Sequence, residues 1–173
     1  MKKIKYLLLI TSVILITGCT DMVSSPTKKV ENFLGKYQKL DDEVLNQLDI
    51  MIDKDSNYNN DNREEYKALL IKQYQNLSYK ITDERVEKDS AEVDVEIEVY
   101  DYKGSIEKSN EYYKNHKDEL KDKTLIEYQI EKMKDVTEKS TYKITFYLTK
   151  NKDNDWVLEN ITEEDRQKIH GIY

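Results

Sequence analysis

Few side chains in this 173-residue sequence are of the types that do chemistry. It holds one cysteine, Cys19, and two histidines, His116 and His170. Neither histidine stands in a recognisable catalytic setting or on a clear apolar stripe, so both read as exposed surface residues. No Gly-x-Ser-x-Gly, no His-Glu-x-x-His and no phosphate-binding glycine loop occurs. Acids are abundant, but nearly all fall at polar-face positions, and no pair stands out as tuned for acid–base work. No catalytic residue and no cofactor is assigned. One stretch has the spacing of metal ligands: Asp53, Asp55, Asn57, Asn59, Asp61 and Glu64 occupy positions 1, 3, 5, 7, 9 and 12 of a calcium loop between two helices. Against it, Tyr58 stands where the loop's sharp turn wants Gly, Asn60 stands where an aliphatic residue is usual, and no second loop pairs with it. A solvated Asx-rich turn uses the same residues. No metal ligand is assigned, and a calcium-dependent module through residues 53–64 remains an alternative.

Cys19 has a more specific context. Lys2, Lys3 and Lys5 precede an apolar run from Tyr6 to Ile16. A basic start, a short apolar run and small residues before a cleavage point make a secretory signal. The run is shorter than the roughly 20 residues that cross a bilayer. Ile16-Thr17-Gly18-Cys19 resembles the lipobox of bacterial lipoproteins: an aliphatic residue, two small ones, then Cys. The resemblance implies lipid on the Cys19 thiol, cleavage before Cys19, and a chain anchored at the extracytoplasmic face of the cell membrane. The expected layout is a signal peptide over 1–18, a lipidated tether over 19–25 and a single domain over 26–173.

The leader carries three lysines and no acid, so its removal takes the net charge from −7 to −10. Such an acidic body argues against nucleic acid and against adhesion to anionic lipid. With Cys19 lipidated no thiol is left for a disulfide, so the fold must stand on packing. There are fourteen tyrosines. Tyr brings apolar area with a polar tip, which serves a core, a boundary or a binding surface.

The elements that must position these groups follow from periodicity. Ser25-Pro26 starts a helix, and Val30, Phe33, Leu34, Tyr37, Leu40, Val44, Leu45 and Leu48 carry it to near Ile52. Asp61 with Glu64 predicts a second helix, its buried stripe being Tyr66, Leu69, Leu70, Gln73 and Leu77. These two form a helical hairpin. Leu77, Tyr79 and Ile81 alternate into a strand, and Glu87-Lys88-Asp89 turns the chain. Over 91–100, Ala91, Val93, Val95, Ile97 and Val99 point one way, and Glu92, Asp94, Glu96 and Glu98 the other. This is an antiparallel strand with one face on a core and one in water. Its acidic face is balanced by Lys80 and Lys143, or docks a basic partner. Residues 105–134 read as mostly helical with a break near 121–123. A strand over 141–150 carries Tyr142, Ile144, Phe146 and Leu148 on one face. After a polar turn it returns over 156–161 with Trp156 and Leu158 inward. Thr162 and Asp165 cap a last helix ending at His170.

This order implies an α+β domain with helices on the concave face of a curved antiparallel sheet. It resembles the nuclear-transport-factor-two-like fold, a relative of the cystatin-like cone, as used by small Gram-positive lipoproteins. The resemblance is carried by the helical hairpin, the Asp101-Tyr102 pair ending the second strand, and the hairpin closing on Trp156. It implies either a non-catalytic module that binds a small ligand, a peptide or an envelope partner, or an enzyme using the cone's interior. Asp101, Tyr79, Tyr113 and Tyr142 are conceivable interior groups for the latter, and their spacing singles out none. Fold alone does not choose between the two.

Overall fold

The computed structural model describes residues 25–58 and 62–173. The leader, the lipobox with Cys19 and the tether up to residue 24 lie outside the described residues, as do Asn59, Asn60 and Asp61. The chain order is α1 (Pro26–Lys39), α2 (Asp42–Lys54), α3 (Arg63–Gln75), β1 (Ser78–Glu87), β2 (Ser90–Tyr100), α4 (Tyr102–Asn115), α5 (Leu125–Lys134), β3 (Lys139–Lys150), β4 (Trp156–Leu158) and α6 (Glu163–His170). The fold is α+β. Its open sheet is antiparallel throughout, in the order β1-β2-β3-β4.

The period of two in β2 becomes its burial pattern. Ala91, Val93, Val95, Ile97 and Val99 are all buried. Val95 lies opposite Ile81 on one side and Ile144 on the other, so inward residues of three strands meet across the sheet. Burying each such side chain is worth about 1.5–3 kcal/mol. α1 and α6 lie against β2, and α3 packs on both helices. Val30, Leu34, Leu70, Ile169 and Phe146 fill the space between. Among the described residues no buried side-chain nitrogen or oxygen lacks a hydrogen-bond partner.

Local signals fix most boundaries. Ser25 accepts a hydrogen bond from Lys28 N–H at 3.1 Å, with Pro26 in the first turn of α1. Thr162 accepts from Asp165 N–H at 3.1 Å, starting α6 as expected. Lys88 turns the β1–β2 hairpin at φ 48°.

Four boundaries differ from the sequence reading, the first being α3, which starts at Arg63 with Asn62 at its N-cap and not at Asp61. The helix expected from Pro26 to near Ile52 is two helices. Leu40 adopts a left-handed conformation (φ 55°, ψ 50°), and Asp41 then caps α2 by accepting from Glu43 N–H at 3.1 Å. The apolar spacing runs through this break because both helices bury one face in the same core. The helix expected from Ser105 begins at Tyr102, since the Asp101 carboxylate accepts from Gly104 N–H at 3.0 Å. The break near 121–123 is present, and α5 restarts on a capping box of Thr124 and Glu127. The last strand is shorter than 156–161. After Glu159 N–H donates to Tyr147 O (2.9 Å) the chain leaves the sheet for α6.

Candidate functional site

α4 and α5 pack on each other beside the end of β2. Between them and the α5–β3 connection lies a groove of about 380 Å³. This is at the lower end of the range for small-ligand sites. Its aromatic wall is a stack. The Tyr112 ring lies face to face with His116 (centroids 3.9 Å apart, 8° between planes) and offset-stacked on Tyr128 (5.6 Å, 21°). Helical spacing makes this possible, because residues four apart share a helix face. Tyr112 and His116 are such a pair on α4 and its C-terminus, and His116 Nδ1 lies 2.9 Å from the Tyr112 carbonyl oxygen. Tyr128 and Lys132 are such a pair on α5, with the Lys132 ammonium 5.1 Å from the Tyr128 ring centre.

The rim is polar. Asp101 spends one carboxylate oxygen on capping α4. Lys108 and Glu138 reach each other at 3.7 Å across the opening, both largely exposed. Lys132 also meets Glu131 at 3.3 Å, and this carboxylate raises the Lys132 pKa while burial opposes it. Ser109 is buried at the base, its hydroxyl donating to Ser105 O at 2.7 Å. Asp135 sits exposed where α5 ends. The arrangement offers a flat ring face with cationic and anionic groups around it. It holds no nucleophile–base pair.

A second cluster lies in the core. His170 reads from the sequence as a surface residue, but it is buried, 5% exposed. Its Nε2 lies 2.9 Å from the Tyr74 hydroxyl. Burial, with a smaller contribution from the Arg166 charge, lowers its pKa to about 4. It is therefore neutral at physiological pH. Burial also raises the Tyr74 pKa. His170 also lines a groove of about 350 Å³ with Gln47, Ile50, Met51, Lys54, Glu163 and Arg166. Beside the pair, Gln73 is fully buried. Its amide donates to Tyr100 O (3.2 Å) and accepts from Tyr100 N–H (2.9 Å), tying α3 to the end of β2. The interior thus brings a Tyr and a His into hydrogen-bond distance at the edge of this groove.

The other sequence-predicted residues are separated. Tyr79 and Tyr142 are half-buried on β1 and β3, and the Tyr142 hydroxyl donates to Tyr173 O at 3.0 Å. The Tyr113 hydroxyl donates to Lys123 O at 2.8 Å. In the 53–64 segment, Asp53 lies in the last turn of α2 and is ion-paired to Arg63. Asp55 accepts from the Asn57 backbone N–H (2.9 Å) and its side-chain amide (2.8 Å), an Asx turn. Asn59 and Asp61 lie outside the described residues. Among the described residues no group of three or more His, Cys, Asp or Glu is placed to hold a metal ion.

On the outer face of β2 each acid meets a counter-charge. Arg85 contacts Glu92 at 2.7 Å and Asp94 at 2.6 Å, Lys143 meets Glu96 at 3.7 Å, and Lys139 meets Glu98 at 3.0 Å. The Arg85 hydrogen bonds hold the Asp94 carboxyl below its ordinary range, helped by the Thr145 hydroxyl. Lys143 does what the sequence suggested; Arg85 and Lys139 do more. Tyr112, Tyr128 and Lys132 are not among the residues that the sequence singles out. The available signal was two aromatic-to-basic pairs at spacing four, on either side of a polar break.

No family model matches the chain, nor does any curated protein. Among solved structures, the chain is similar to the candidate lipoprotein ycdA of Bacillus subtilis subsp. subtilis strain 168. The identity is 16% and the TM-score 0.36, over 86% of this chain and 47% of the other. This chain thus spans about half the length of that structure. So partial a likeness says nothing of what either protein binds. No helix among the described residues is long and apolar enough to cross a membrane.

Proposed function

We propose that this chain is a lipid-anchored extracytoplasmic binding module, held through Cys19 and recognising its ligand in the α4–α5 groove. The reading of Cys19 rests on the leader and the lipobox-like Ile16-Thr17-Gly18-Cys19. The reading of the groove rests on one observation: the stacked, partly exposed Tyr112 ring, backed by Tyr128 and framed by Lys108, Lys132, Asp135 and Glu138. An aromatic face with hydrogen-bonding groups of both signs suits a small polar ligand, or a short peptide, that lays a flat or apolar side on the ring. The filled interior favours this over an enzyme working inside a cone. The helices on one face of the sheet support placing the domain among nuclear-transport-factor-two-like folds.

Two experiments test the proposal. Cys19→Ser should abolish fatty-acid labelling and processing; equal labelling of mutant and wild type would refute the anchor. For the groove, an NMR titration with a panel of disaccharides and tripeptides should move resonances of α4 and α5, and Tyr112→Ala should remove those shifts. Shifts confined to other elements, or unaffected by Tyr112→Ala, would refute the site.

A further inference from the structure

The place where α1 begins, relative to the groove, has a consequence for how the protein stands on a membrane; it rests on the proposed anchoring at Cys19. Thr27 donates to the Glu84 carboxylate through its N–H (2.9 Å) and its hydroxyl (2.5 Å). Glu84 lies opposite Val93, near the turn that joins β1 to β2. Lys150 N–H donates to Asp89 O at 2.8 Å, which brings the β3–β4 turn to the same end of the sheet. The start of α1 and both hairpin turns therefore form one pole of the domain. The groove is at the other. Tyr100 ends β2, Asp101 N–H donates to Glu138 O at 2.9 Å, and both Asp101 and Glu138 line the groove.

Lengths decide which pole faces the lipid. At about 3.3 Å per residue, β2 rises about 23 Å from Val93 to Tyr100, and the groove lies beyond that. The chain from Cys19 to Pro26, drawn out fully, reaches at most about 25 Å. Laying the groove on the bilayer would take nearly all of that reach, with the tether stretched alongside the domain. Ordering a tether that way costs conformational entropy at every residue. No compensating attraction is in sight at the groove, whose lysines are matched by acids. We infer that the anchored protein stands on its hairpin pole, with the Glu87–Ser90 and Asn151–Asp155 turns nearest the lipid and the groove facing away. The groove then meets ligands arriving from outside the membrane and not lipid headgroups.

The test uses the lipidated full chain in vesicles that carry an energy-transfer acceptor on their headgroups. Asp153 at the hairpin pole and Thr137 at the groove are both exposed. Asp153→Cys and Thr137→Cys are each labelled with the same thiol-reactive donor. Transfer from position 153 should exceed transfer from position 137 several-fold, and lengthening the tether with Gly and Ser should shrink the difference. Lipid on Cys19 blocks its thiol, so one label per chain on vesicle-bound protein is the expected state. Two labels per chain, or protein that does not float with vesicles, would overturn the anchor itself and the orientation with it. Equal transfer from the two positions, or more from 137, on singly labelled bound protein would overturn the orientation and leave the anchor standing.

Discussion

Tyrosine occurs in two settings, and the contrast separates architecture from candidate function. In the core, Tyr74 and Tyr102 are almost wholly buried, and each hydroxyl finds a partner: His170 for Tyr74, and the Leu69 carbonyl, 3.1 Å away, for Tyr102. Around the groove, Tyr112 is 41% exposed, its ring stacks on His116 and Tyr128, and its hydroxyl has only a 3.4 Å approach to Glu119. The same side chain serves as a hydrogen-bonded strut in one place and as a stacked, partly exposed ring in the other. Buried hydroxyls must be paired, so the core tyrosines are constrained by their partners. Tyr112 carries no such obligation, and the part of its ring that His116 and the buried Tyr128 leave uncovered is accessible to a ligand.

The sharpest break in that comparison comes from the sheet under the core tyrosines. Ile97 is fully buried on β2, so Ile97→Ala should destabilise by about 2–5 kcal/mol in urea melts. A loss comparable to that of a surface change would mean that β2 does not face the core. Next comes pH. His170 is held near pKa 4, below its ordinary 6.5, chiefly by burial. Below pH 6.5 the unfolded chain takes up a proton that the native chain refuses. Stability from this residue is therefore full above 6.5, falls with pH towards 4, and levels off below, by up to about 3 kcal/mol in total. Asp94, Glu98 and Glu127, whose carboxyls are held below their ordinary range by bonding partners, lose their own contributions as pH falls. The difference between wild type and His170→Gln isolates the histidine, and that difference should slope between pH 6.5 and 4. A flat difference curve would place His170 in water.

Within the pair itself, Tyr74→Phe removes the hydroxyl that meets His170 Nε2 and leaves the imidazole buried. The expected loss is about 1–3 kcal/mol. Replacing both partners, Tyr74→Phe with His170→Leu, should recover part of it, since two apolar groups owe no hydrogen bond. No recovery in thermal melts would mean that the pair contributes by shape and not by its bond.

What the sequence revealed follows the reach of each interaction. β2 is legible because every second residue is apolar and the acids between them face water. α6 is legible at its start because Thr162 and Asp165 are three residues apart. The break at Leu40 is not, since neither Gly nor Pro marks it and the left-handed residue is a leucine. The burial of His170 is not either. α6 is otherwise rich in acids and bases, and the partner that explains the histidine, Tyr74, is 96 positions away. The groove depends on two helices meeting across a polar break. Each contributes a visible pair at spacing four, but nothing local says that the pairs face one another.

The smallest expected effect is the one that tests the other half of the comparison. Tyr112→Ala removes an exposed ring from the outer end of α4. It leaves no buried cavity and no unpaired buried group, and Ala favours the helix more than Tyr does. Against this stand two stacking contacts, with His116 and with Tyr128, in a setting open to water. Stacked pairs are worth about 0.5–1.5 kcal/mol where they are well packed. At so exposed a site the helix gain offsets most of that, and surface changes away from special features usually stay within about 0.5 kcal/mol. Tyr112→Ala should therefore melt within about 0.5 kcal/mol of wild type while losing the groove's ligand-induced NMR shifts. Stability retained with binding lost would mark Tyr112 as a residue kept for recognition. A stability loss as large as that of Tyr74→Phe would make the stack a structural brace between α4 and α5, and the two settings of tyrosine would then be one.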